Sequence, residues 1–266
     1  MSSVRGFSDL PAPPSGLARY VSEHPATPIA ELIEPYRRHD AHLRKIYAQE
    51  PDHEALKEPL ANAMPLFTDG SCDFRIQARD LAAESEEQKS KFIMPLPQEY
   101  RRANGSRATV GTFKEFQRNF NIFSESSLAE LDWNNVIAGG SSVVNCLLPV
   151  PEEYNTSKRR LREFYHEKFS PASDVDSFLY GLTEEEAIVK IKQIESHVRD
   201  VLLTEVVSVR TKHAITICMF PRAASRMLKH SNAPITDKLL RTGSQYPTRH
   251  IQVQSISQIA CLIEPH

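Results

Sequence analysis

Asn134-Asn135-Val136-Ile137-Ala138-Gly139-Gly140-Ser141-Ser142 is the stretch on which the fold turns, and Ser173-Asp174-Val175-Asp176-Ser177-Phe178-Leu179-Tyr180-Gly181 answers it downstream. The first segment reads as a short apolar strand running into a glycine pair and the start of a small-residue helix. A glycine turn at a helix start presents free amides and the positive end of the helix dipole, which suits an anion such as phosphate. The same glycines also allow a tight turn or close packing with nothing bound. The second segment reads as a strand carrying carboxylates at i and i+2. Side chains alternate faces along a strand, so Asp174 and Asp176 fall on one face. Two such charges repel and raise each other's proton affinity unless a cation or a hydrogen-bond network lies between them. A hard divalent ion with oxygen ligands, as Mg²⁺ prefers, is the simplest resident. A solvated strand end is the plain alternative.

The chain around these segments is of ordinary composition. Its 266 residues allow one large domain or two modest ones. With 40% hydrophobic and 25% charged residues and a formal net charge of −2, it has no global attraction to nucleic acid or anionic membrane. No apolar run approaches the roughly 18 to 20 residues that span a bilayer, so no membrane association is expected. The start, Met1-Ser2-Ser3-Val4-Arg5-Gly6, lacks the apolar core of a secretory signal. Cys72, Cys146, Cys218 and Cys261 lie far apart. Reduced thiols in a cytoplasmic or nuclear protein fit this better than disulfides or zinc.

In chain order, residues 1–28 read as a proline-rich lead-in and 29–130 as a mainly helical region. Ile33, Tyr36, Leu43 and Tyr47 are spaced for one helical stripe, with Arg37, Arg38, Arg44 and Lys45 outward. Thr68-Asp69-Gly70-Ser71 reads as a turn before a strand over 72–76. Ile93-Met94-Pro95-Leu96-Pro97 breaks any helix. Phe113, Phe116, Phe120 and Phe123 share one helix face, and Ser126 or Ser127 is placed to cap a short helix ending at Leu131. Residues 131–254 carry the strand–helix–strand–helix–strand succession, with a strand over 133–138. An α/β or α+β core follows, a small mixed sheet with packed helices. Within it, residues 152–172 contain a basic exposed helix. Thr183 and Glu186 form a capping box, opening a helix through Leu203 with Ala187, Ile188, Ile191, Ile194, Val198, Val201 and Leu202 in phase. Residues 255–266 form a short tail.

The chemical alternatives are thin. The glycine turn lacks the Gly-Lys-Ser/Thr ending of a Walker A loop and the G-x-G-x-x-G spacing. The histidines, His166, His197, His213 and His250 among them, show no metal-ligand spacing. No G-x-S-x-G elbow is present.

A strand ending in Gly-Gly-Ser, then a helix, then a strand bearing Asp-x-Asp resembles the core of the DNA polymerase β-type nucleotidyltransferase superfamily, over roughly Leu131 to Val253. The wider stretch, with Ser106-Arg107-Ala108-Thr109-Val110-Gly111-Thr112-Phe113 and Asp174-Val175-Asp176 before Tyr180-Gly181-Leu182, also resembles a group of large eukaryotic proteins, common in fungi and often labelled ankyrin-repeat proteins. No repeat is visible in this chain. The superfamily resemblance implies that Gly139, Gly140, Ser141 and Ser142 hold the phosphates of a nucleoside triphosphate. It also implies that Asp174 and Asp176 bind Mg²⁺ as the catalytic ligands, with a third carboxylate on a later strand. That third carboxylate is not evident, since after Asp200 the only acids are Glu205, Asp237 and Glu264. The tail is also short for a substrate-binding subdomain, so the expectation is a nucleotidyltransferase core cut short. The alternative is a non-catalytic module that keeps the fold and binds a protein partner through its exposed helices.

Overall fold

Alternating apolar residues build one mixed sheet from β1 (Val136–Gly139), β2 (Val175–Leu179), β3 (Val206–Arg210), β4 (Ile215–Met219) and β5 (Arg249–Ser255). The spatial order is β1-β2-β5-β4-β3. β2 pairs with β1 in antiparallel fashion and with β5 in parallel, and the β5–β4 and β4–β3 pairs are antiparallel. The computed structural model describes residues 10–57, 64–67, 73–78, 80, 82–90, 101–171, 174–203, 206–211, 214–219 and 249–255. The chain divides into two units, Met1–Glu115 and Phe116–His266. The expected turn at 68–71 and the segment 93–97 lie outside the described residues.

One sheet face is dry. Val136, Val175, Leu179, Ile217, Ile251 and Val253 are all buried on it. They form a single cluster with Phe120 and Phe123 of α4 (Phe113–Phe123), Cys146 of α5 (Gly140–Leu147) and Ala187, Ile194 and Val198 of α7 (Glu184–Leu202). At ~25 cal/mol per Å² of apolar surface, this cluster is the main term holding the second unit together. The opposite face carries Ile137, Gly139, Asp176, Phe178, Thr216 and Gln252, all half-buried. Period-2 alternation therefore sorts the strands into a core face and an open face. The fold is an α/β or α+β sheet with packed helices, as expected, and β1 and β2 are neighbours in it.

Several local expectations are corrected. The segment after Ser124 is a run of turns rather than a helix, because Glu125 and Ser126 take φ of 53° and 62°, outside helical space. The first strand begins at Val136, not Trp133, since Asn135 also adopts positive φ, at 62°. α7 has the expected capping box at Thr183 and Glu186. Ile188 and Val201, however, lie outside its buried stripe at 40% exposure each, while Lys190 is buried. The lysine is held there by hydrogen bonds from Nζ to the carbonyl and to Oδ2 of Asp132, each 2.9 Å. The basic 158–166 segment is α6 (Lys158–Glu163) followed by a π-helical turn, Phe164–Phe169.

Within the first unit, α1 (Leu17–Glu23) precedes α2 (Ile29–Gln49). The buried residues of α2 are Leu32, Tyr36, Leu43 and Ile46, so the stripe is shifted from the expected Ile33 and Tyr47. A short helix, α3, spans Glu86–Ser90. Of the expected strand over 72–76, the described residues 73–76 form a single antiparallel bridge, Arg75 to Arg107, and no longer strand.

Candidate functional site

The strand register places the two sequence segments in direct contact. Gly139 stands opposite Asp176, at the end of β1 that leads straight into α5. Gly140 has φ of +70°, and a Cβ built there would lie 2.6 Å from Oδ2 of Asp176. Any side chain at 140 would thus strain the backbone and displace the carboxylate. A Cβ at Gly139 would meet Phe178 at 2.9 Å. Both glycines are therefore demanded by the open-face residues of β2, an explanation that requires no ligand. The same packing lays a carboxylate against the turn at the N-terminus of α5, whose first amides have no intrahelical partner.

Burial pushes the Asp176 carboxyl above its ordinary range, and the charge of Asp174 pushes it further in the same direction. Alternation along the strand explains the second effect, because residues 174 and 176 share a face. The two serines differ. Ser141 is exposed, whereas Ser142 is fully buried and its Oγ donates to the Gly139 carbonyl at 3.0 Å. The Ser142 hydroxyl is thus engaged with the turn itself, which leaves its backbone amide as the group that would face a phosphate.

On the other side of Asp176 the register places Gln252 of β5, and beyond it Thr216 of β4. The row across the open face reads Gly139, Asp176, Gln252, Thr216. The neighbour of Asp176 on β5 is thus a neutral amide and not a third carboxylate. Among the described residues no three His, Cys, Asp or Glu side chains are grouped to hold a metal. Asp237 and Glu264 lie outside the described residues. Two half-buried carboxylates, that of Asp176 with its proton affinity raised, still fit one Mg²⁺, which is commonly held by one or two carboxylates with phosphate and water oxygens.

Elsewhere in this unit, a shallow groove of about 370 Å³ is lined by Asp132, Asn135, Leu182, Glu185, Glu186 and Lys190, with Asn134, Val189 and Gln193. It lies by the Val136–Leu179 end of β1 and β2, away from Asp176. Three carboxylates on its rim make it a poor host for a triphosphate. The sequence reading missed Gln252 as a site neighbour. Its signal was present in the alternation of Arg249-His250-Ile251-Gln252-Val253-Gln254, but the register of β5 against β2 is not readable from that pattern. Comparison with protein-family models, with curated proteins and with solved structures gives no match.

Proposed function

We propose that the open face of the sheet binds a Mg²⁺-complexed nucleoside triphosphate, as in a nucleotidyltransferase-like protein, but does not carry out nucleotidyl transfer. Gly139, Gly140 and the amides of Ser141 and Ser142 would meet the phosphates, and Asp174 and Asp176 would hold the ion. The observation that supports this reading is the placement of the Asp176 carboxylate against Gly140, in register with Gly139. A bound cation would offset both the burial and the Asp174 charge that raise the carboxyl of Asp176. Lewis-acid charge stabilisation at the phosphates is the chemistry such an ion supplies when bound.

Transfer asks for more than binding. An acceptor hydroxyl must lose its proton, and two divalent ions bring four positive charges against the two negative ones available from Asp174 and Asp176. Gln252 offers a carbonyl oxygen but neither charge nor proton affinity. The same residue favours a second reading, a protein-binding module that retains the fold without nucleotide. Isothermal titration with Mg²⁺ and each nucleoside triphosphate tests the choice. Heat on mixing that disappears in the D174N/D176N double variant supports the nucleotide reading. Silence in a folded wild-type protein removes it in favour of the module.

A further inference from the structure

We infer that the first unit carries a separate phosphate-binding site on Arg107, whose side chain lies over Gly111 and whose backbone pairs with Arg75. Residues 101–111 hold Arg101, Arg102 and Arg107 and no acid. The flanking amides fix the register of this loop. Ala108 N donates to Phe74 O at 2.7 Å and Ile76 N donates to Ser106 O at 2.8 Å. Arg75 and Arg107 consequently face each other at a non-hydrogen-bonded antiparallel position, the kind that brings side chains closest. Like charges directly opposite are destabilising, so this pairing calls for a compensating anion.

Arg75 has a partial remedy. Its Nη2 pairs with Asp73 at 2.7 Å and its Nη1 donates to Gly105 O at 3.2 Å. Arg102 is occupied with the loop backbone, donating to the carbonyls of Ala108 and Arg107. Arg107 differs from both, since its guanidinium has no ion-pair or hydrogen-bond partner among the described residues. Its position is nevertheless built. The guanidinium lies over buried Gly111, with Cζ 2.9 Å from where a Cβ would stand. Glycine at 111 thus leaves room for the planar fork. The carboxylate of Glu115 accepts from the Gly111 amide at 3.1 Å and pins the same turn. A planar fork laid over Gly111, on the strand position that pairs with Arg75, matches a tetrahedral dianion with several acceptor oxygens, which is a phosphate group.

This site is independent of the aspartates, and its test keeps it so. Inorganic phosphate is titrated calorimetrically into the full chain in EDTA, which removes divalent ions. Wild type should bind, and R107A should bind about ten-fold more weakly or worse, the loss expected for charge-assisted hydrogen bonds. G111A keeps every charge but pushes the guanidinium off its seat, and it should weaken binding likewise. Without phosphate, R107A should melt no lower than wild type, because it removes the cross-strand repulsion. Should R107A fail to fold, R107K keeps the charge without the fork and should still bind more weakly. Parallel titrations with a nucleoside triphosphate and a single-stranded oligonucleotide identify the source of the phosphate by which binds tighter in an Arg107-dependent way. No phosphate binding by wild type, or undiminished binding in R107A or G111A, overturns the inference.

Discussion

Asp176 is held by its neighbours in a state it would not choose in water. Its raised carboxyl means that the folded protein binds a proton more readily than the unfolded chain does. The metal-free fold should therefore lose stability as pH rises from the ordinary Asp value through the raised one. D176N removes that contribution, so its melting temperature should lack this part of the slope and should equal or exceed that of wild type at neutral pH. Mg²⁺ or Mn²⁺ should raise the wild-type melting temperature by mass action and leave D174N/D176N unmoved. Equal shifts in both proteins would place the ions elsewhere. Q252E adds a third carboxylate beside Asp174 and Asp176. It should lower metal-free stability and tighten divalent-ion affinity, both readable in one thermal series. On the opposite face, Ser177 is 1% exposed and its Oγ has no hydrogen-bond partner among the described residues. Ser177→Ala removes that stranded hydroxyl and should be neutral or stabilising, and a marked drop in melting temperature would reveal a partner for it.

At the scale of elements, α7 was the most legible piece of the sequence and shows where legibility ends. Thr183 and Glu186 announced its start, and the capping box is present with both hydrogen bonds. Periodicity chose the buried face correctly for Ala187, Ile194 and Val198 but was too generous with Ile188 and Val201. A helical stripe spans more angle than a neighbouring sheet can cover, so its flanking residues stay wet. Ile194, at 1% exposure, is the position where truncation should tell. Ile194→Ala should cost roughly 2–5 kcal/mol in denaturant unfolding, the usual range for a large buried aliphatic. A midpoint equal to wild type would mean the helix is not docked on the sheet. The turn at Glu125 and Ser126 was illegible for a different reason. A serine pair before an apolar residue looks like a helix cap, and nothing local announces two successive residues at positive φ.

For the molecule as a whole, the strands near the aspartates were readable because each has its own alternation. Their neighbours were not, because register and order are decided by the whole sheet. Gln252 beside Asp176 is the clearest case, since 76 positions of sequence separate two residues that share a rung. The buried thiols were readable only as scattered cysteines. Burial pushes Cys146 up to about 12, so a thiol reagent should modify it only when the second unit opens, at the rate of unfolding.

β5 comes last among the five strands yet lies in the middle of the sheet, between β2 and β4. As the chain leaves the ribosome it can make two separate ribbons, β1 with β2 and β3 with β4, neither of which buries the apolar face of the other. Only when Arg249–Ser255 emerges can the two halves be joined into one cooperative structure. Until then the β2 and β4 edges stand open to any passing strand. The nascent protein should accordingly be a client for chaperones until Arg249–Ser255 has emerged, and a chain stopped before Arg249 should unfold without a sharp transition.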